Sequence, residues 1–150
     1  YLSDHRANRF KLNGFFTIKG DWTIGFDGFY SSAFRWQPTA NSSNAGQVWE
    51  GYQIPDNIPG SGLYYVEPRG SRAANSNYQL DLQLSKGFTV GGVRLVLIGS
   101  VFNAFSSEEV VTICSAINGC TDVEGNSVDT GGPVNWQTPR RYELGFRFEF

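Results

Sequence analysis

Arg9-Phe10-Lys11-Leu12-Asn13-Gly14-Phe15-Phe16-Thr17-Ile18-Lys19 is the stretch on which the fold class turns. Its even positions carry Phe10, Leu12, Gly14, Phe16 and Ile18; its odd positions carry Arg9, Lys11, Asn13, Thr17 and Lys19, with Phe15 the exception. Successive side chains of an extended strand point to opposite faces. This segment therefore shows one face to an apolar medium and the other to polar groups or water.

The same reading extends along the chain. Gly20-Asp21 marks a tight turn, after which Trp22, Ile24, Phe26, Gly28, Tyr30, Ser32 and Phe34 alternate with Asp21, Thr23, Gly25, Asp27, Phe29, Ser31 and Ala33 over about 22–34. A third strand, about 77–88, sets Tyr78, Leu80, Leu82 and Leu84 against Gln79, Asp81, Gln83 and Ser85. A fourth, about 93–105, turns Val93, Leu95, Leu97, Gly99 and Val101 outward, although Val96, Ile98 and Phe102 make its other face partly apolar. A lumen filled by a plug or loop accepts such a face better than an open aqueous pore does. The fifth, about 139–150, sets Tyr142, Leu144, Phe146, Phe148 and Phe150 against Arg141, Glu143, Gly145, Arg147 and Glu149. These strands exceed the roughly 5 or 6 residues usual in soluble proteins and suit the roughly 9 to 11 that a tilted strand needs to cross hydrocarbon.

Connection lengths alternate as well. Two tight turns join strands one to two and three to four, the latter around Gly87-Phe88-Thr89-Val90-Gly91-Gly92, whereas about 36–76 and about 106–138 are long loops. Long loops are uncommon inside compact soluble domains, and outer-membrane barrels carry short turns on the periplasmic side and long loops outside. The expected fold is all-β: residues 1–150 as five antiparallel strands at the C-terminal end of a large transmembrane barrel. The long loops are then extracellular and the short turns periplasmic. Five strands with two lipid-exposed edges do not insert alone, so further barrel segments are expected beside Arg9–Ile18 and beside Tyr142–Phe150.

Composition agrees. Aromatic residues make up 15% and charged residues 17%, with 18 glycines, no methionine and a net charge of -2, a mixture that favours β-structure over disorder. No basic field suited to nucleic acid is present, and no apolar run is long enough for a membrane helix. No signal peptide is evident, and the opening Tyr1-Leu2-Ser3-Asp4 suggests a chain that began earlier.

In the first long loop, Trp36, Trp49, Tyr52, Tyr64, Tyr65 and Arg69 are the candidate ligand contacts. Loops often carry binding, while the plainer reading is a self-packed loop shaped by its prolines and aromatics. The second loop holds both cysteines, Cys114 and Cys120, and a disulfide between them suits an oxidising, extracellular side. Asp122, Glu124, Asn126 and Asp129 form a loose oxygen cluster without the spacing of a calcium hand loop, and hydrated acidic surface is the expected reading over a calcium site. No metal or cofactor site is expected. Ser3, Asp4 and His5 are sequence neighbours rather than a triad positioned by a fold, so no enzyme activity is expected.

Several ordered features resemble one family. These are Asp4-His5-Arg6-Ala7-Asn8-Arg9-Phe10 before the first strand, Ser32-Ala33-Phe34, Pro68-Arg69-Gly70-Ser71-Arg72 before Tyr78-Gln79-Leu80-Asp81-Leu82, Val101-Phe102-Asn103-Ala104-Phe105, and Gln137-Thr138-Pro139-Arg140-Arg141-Tyr142 up to Phe150. Together they resemble the C-terminal barrel region of TonB-dependent outer-membrane receptors, most closely the Oar-like branch. The resemblance implies a 22-stranded barrel occluded by a plug, a bacterial outer-membrane location, and uptake or export driven by periplasmic TonB. It implies Tyr142, Phe146, Phe148 and Phe150 as the barrel-assembly signal. It also implies, as partners, the remaining strands and plug, outer-membrane lipid, and a surface lipoprotein or a peptide or protein ligand. A passive porin, a surface adhesin or scaffold, and a soluble β-sandwich with its aromatic face turned inward are the alternatives.

Overall fold

A computed structural model of the protein describes residues 5–60 and 62–149. The chain is all-β, with no α-helix among the described residues. Five long strands, β1 (Arg9–Ile18), β2 (Trp22–Ser31), β3 (Asn77–Val90), β4 (Val93–Phe102) and β5 (Arg141–Glu149), form one antiparallel sheet in which each strand lies beside its sequence neighbour. The sheet is open, with β1 and β5 at its edges, and no closed barrel forms from the described strands.

The register explains the faces. Phe10 pairs with Tyr30, Phe16 with Ile24 and Ile18 with Trp22. Leu82 pairs with Val101 and Phe88 with Leu95, while Leu95 pairs with Phe148, Leu97 with Phe146 and Val101 with Tyr142. Paired residues share a face, so the odd positions of β4 join the even positions of its neighbours in one apolar surface. That surface is open: Leu144 is 93% exposed, Phe146 70% and Phe10 61%. Monomeric soluble proteins rarely show contiguous apolar patches beyond a few hundred Å².

The opposite face is polar and answers its own charges. Arg94 reaches Glu149 at 3.7 Å, Arg141 reaches Glu143 at 2.9 Å and Arg147 reaches Glu149 at 2.8 Å. The Gln83 side-chain amide donates to the Ser100 hydroxyl at 3.3 Å. The partly apolar β4 face is tempered by neighbours: Val96 is buried, and the Arg141 guanidinium lies 4.5 Å from the Phe102 ring centroid.

Turn chemistry fixes the tight ends. Val90 pairs with Val93 across Gly91-Gly92, both at positive φ (59° and 84°), the conformation a two-residue hairpin needs and glycine adopts without strain. At the far ends the strands stop earlier than the alternation suggests: β2 ends at Ser31 and β4 at Phe102. Asn103 is the reason for the second stop. It sits at φ 50°, a left-handed conformation that asparagine tolerates better than most side chains, and is 2% exposed. Its amide nitrogen donates to the Ser107 and Thr138 carbonyls, its amide oxygen accepts from the Ser107 N–H and hydroxyl, and its own N–H donates to Asp81. The Ser107 hydroxyl is also 2.8 Å from the Tyr78 carbonyl. One asparagine thus ties the ends of β3, β4 and the start of β5 with every polar atom satisfied.

Residues 5–8, 32–77 and 109–137 make a second compact unit. The first long segment is a nested hairpin: Arg35–Trp36 pairs with Arg72–Ala73, Thr39–Ala40 with Tyr64–Tyr65, and Val48–Trp49 with Tyr52–Gln53. The second pairs Val110–Ile113 with Pro133–Trp136 and Cys120–Thr121 with Ser127–Val128. Unlike the sheet, this unit has a buried apolar cluster, Ala40, Ile54, Ile58 and Val66, flanked by Trp49, Tyr64 and Ile117.

Candidate functional site

The two long loops are clasped together. Cys114 and Cys120 are joined by a disulfide, closing a short ring that holds Ser115, Ala116, Ile117, Asn118 and Gly119. That ring lies along the first loop: the Thr39 N–H donates to the Ser115 carbonyl at 2.7 Å, and the Ile117 N–H donates to the Thr39 carbonyl at 3.0 Å. Asn118 donates to the Ser43 hydroxyl at 3.1 Å and accepts from the buried Asn44 amide. Asn44 in turn closes the Ser42–Asn44 turn as its capping partner, with Asn41 as N-cap. Ile117 packs on the apolar cluster, so the ring contributes both hydrogen bonds and burial to the joined loops.

A second tie is electrostatic. The Arg72 guanidinium is 2.6 Å from Glu67 and 2.7 Å from Glu50, and lies 5.5 Å from the Trp36 ring centroid and 5.2 Å from that of Trp49. The hydrogen bond from Arg72 holds the Glu67 carboxyl below its ordinary value, burial opposes this, and the Ser71 hydroxyl adds to the lowering. The same bonds raise Arg72 further above its usual range. A bidentate guanidinium between two carboxylates and two indoles fixes loop shape in a way lysine does not.

The candidate contact residues separate into distinct environments. Trp36 is buried at 8% exposure and Trp49 is half-buried, both engaged by Arg72. Tyr64 packs on the apolar cluster. Tyr65 lies beneath Arg69, whose guanidinium is 4.3 Å from its ring centroid, and Arg69 is exposed. Tyr52 is exposed at the Val48–Gln53 hairpin. Trp36 and Trp49 therefore shape the loops, and Tyr52, Tyr65 and Arg69 carry the surface a ligand can touch. A cavity of about 230 Å³ is walled by Trp36, Asn75, Val110, Ile113, Gly131 and Pro133 among others. It falls below the roughly 300–1,000 Å³ of ordinary small-molecule sites.

The acidic stretch of the second loop has a structural use. Asp122 accepts from the Glu124 and Asn126 N–H groups at 2.9 and 2.8 Å and from the Asn126 side chain at 3.0 Å. The Asn126 side chain, followed by its backbone N–H, lowers the Asp122 carboxyl from its ordinary value. Both carboxylate oxygens thus hold the hairpin turn, and no cluster of three or more His, Cys, Asp or Glu suited to a metal occurs among the described residues. His5 is exposed and its carbonyl accepts from the Arg35 N–H at 3.2 Å; Ser3 and Asp4 lie outside the described residues.

Tyr142, Phe146 and Phe148 stand exposed on the apolar face of β5, with Phe146 and Phe148 edge to face at 5.5 Å. Phe150 lies outside the described residues. Arg72, Asn103 and the Ser115–Gly119 ring hold the shape of these elements, and their Arg72–Glu50, Asn103–Thr138 and Asn118–Ser43 contacts span 22, 35 and 75 positions, beyond the reach of any local pattern. No known protein family, curated protein sequence or solved structure matches this chain.

Proposed function

We propose that this chain is the C-terminal, five-stranded part of a TonB-dependent outer-membrane receptor barrel of the Oar-like branch, with a complete barrel of 22 strands around a plug. The observation that carries the reading is the outer face of the sheet. Its apolar residues run in register across paired strands and are open, while ion pairs and hydrogen bonds fill the other face. Strands with one apolar and one polar face suit a lipid exterior and a filled lumen. The unpaired edges of β1 and β5 accept the neighbouring strands that closure requires.

In this reading the clasped loops lie at the cell surface and bind ligand through Tyr52, Tyr65 and Arg69. TonB acting on the plug supplies the energy for passage, and the chain performs no catalysis. Phe15, 78% exposed on the polar face, and Phe102 beside it in chemical character suit contact with a plug more than an open water column. A second reading, a surface scaffold that captures a partner without transport, is favoured by one feature: the loop unit has its own buried cluster and two ties.

Extraction of the native complex in detergent, with its mass and density map, tests the proposal. The expected result is a large barrel with strands beside β1 and β5 and a plug in the lumen, and ligand uptake that stops when the inner-membrane proton gradient is collapsed. An empty barrel, or uptake indifferent to the gradient, contradicts energy coupling. A soluble sandwich with the outer face packed inward contradicts the membrane assignment.

A further inference from the structure

The outer face of the sheet carries one charged side chain among the described residues, Lys86, at an even position of β3 opposite Leu97. Its ammonium lies 5.1 Å from the Trp22 ring centroid and 5.6 Å from that of Phe88, and it donates to the Gly20 carbonyl in the β1–β2 turn. That carbonyl uses one of three ammonium donors, and Lys86 is in no ion pair among the described residues. Beside it runs an apolar groove of about 560 Å³ lined by Trp22, Leu84, Leu97, Leu144 and Phe146. Gly99 makes the groove. It lies between Leu84 and Leu144 in the register, and a Cβ placed there would stand 3.7 Å from the Leu144 side chain.

A cation at one end of an apolar trough matches an amphiphile with an anionic head and a hydrocarbon tail. We propose that this groove binds one phospholipid of the periplasmic leaflet, with its phosphate on Lys86 and an acyl chain over Gly99 between Leu84 and Leu144. The inference rests on the barrel reading, which makes this face lipid-facing and the short turns periplasmic. Lysine on a lipid-facing strand is costly at mid-membrane and cheap near the interface, and its stem can carry the ammonium toward that level. Trp22 and Phe88 suit the aromatic girdle found there, and a phosphate gives the remaining ammonium donors a charged partner.

The test uses the complete native complex in an uncharged maltoside detergent. The probes are phosphatidylglycerol with a photoactivatable acyl chain, and diacylglycerol with the same chain. Phosphatidylglycerol should label Leu97, Leu144 and Phe146 in preference to Phe10 and Leu12. Lys86→Gln should lower groove labelling about fivefold, Lys86→Arg should retain it, and inorganic phosphate should not compete. Gly99→Leu, which keeps the ammonium, should also lower it by filling the trough. Equal labelling by diacylglycerol, or labelling indifferent to both Lys86→Gln and Gly99→Leu, overturns the site. Even labelling of the whole outer face overturns the site while leaving the membrane face intact; labelling of no outer-face residue by either probe overturns both.

Discussion

The sheet and the loop unit solve the burial problem in opposite ways. The loop unit hides Phe34, Trp36, Ala40, Ile54, Ile58, Val66 and Cys114, as a protein folded in water does, whereas Val96 is the one buried hydrophobic side chain of the sheet unit among the described residues. The sheet instead turns Phe10, Phe16, Leu84, Phe146 and their neighbours outward. The same amino-acid types therefore do different work in the two regions: in one they exclude water from a small interior, and in the other they form an open apolar surface, which the proposed barrel turns toward lipid. The polar groups differ correspondingly, with ion pairs along the polar face of the sheet and the Arg72 knot among Glu50, Glu67, Trp36 and Trp49 in the loops.

Several changes sharpen or break that contrast. Ile54→Ala should have the largest effect in the loop unit, about 2–5 kcal/mol for a fully buried side chain, read as faster hydrogen exchange across residues 32–77 with the strands unchanged. Equal loss in the strands would mean the two regions do not behave as distinct units. Asn103→Ala removes the partner of Ser107 and Thr138 and should cost about 2–3 kcal/mol, seen as a smaller heat-resistant barrel fraction. A heat-resistant fraction equal to that of the unaltered protein would remove this knot from the account. Replacing Cys114 and Cys120 together by alanine should cost about 2 kcal/mol for so short a ring and should raise exchange at Thr39, Ser43 and Asn44, where the ring docks. Exchange confined to residues 114–120 would show that the disulfide does not hold the clasp.

The smallest effect is acid-linked. The Glu67 carboxyl is held below its ordinary 4.5 by Arg72, so its contribution is complete above that value and is lost as pH falls through the depressed one. Proteolytic resistance of the loops should decline as pH falls below about 4.5, and Glu67→Gln should flatten that decline. An unchanged acid profile in the variant would transfer the effect to other carboxylates.

The strands were legible because alternation is local. Arg9 to Ile18 carries its own face assignment, and so does the switch to odd positions in β4, which the register requires. Strand ends were not, since they depend on distant partners. The second strand was expected to reach Phe34, but Ser32 bonds back to Asn8 and Arg35–Trp36 pairs with Arg72–Ala73. The fourth was expected to reach Phe105, yet Asn103 turns left-handed to meet Asp81 and Thr138. The fifth starts at Arg141 rather than residue 139, where Pro139 has no N–H to offer a ladder. The third runs on to Val90 because Gly91-Gly92 alone makes the turn.

Loop residues were harder still. Residue type marks Trp36 and Tyr52 equally, but only the nested pairing and the clasp bury one and expose the other. The Thr39–Ser115 contact spans 76 positions, and no short pattern announces it. Lys86 stands at an even position of β3 among apolar neighbours, and residue type alone marks it as a break in the alternation rather than as a cation on the apolar face.

Leu144→Lys tests the central claim most directly, because it places a charge where the proposed barrel meets lipid. Leu144 pairs with Gly99 in the middle of β4 and β5, one outer-face step farther from the Gly91-Gly92 turn than the row of Lys86, and is 93% exposed. In the complete protein the variant should lose about 2–4 kcal/mol of membrane stability, measured as a fall in folded, detergent-resistant barrel in outer-membrane fractions. Assembly equal to that of the unaltered protein would contradict a lipid-facing outer surface and with it the barrel itself.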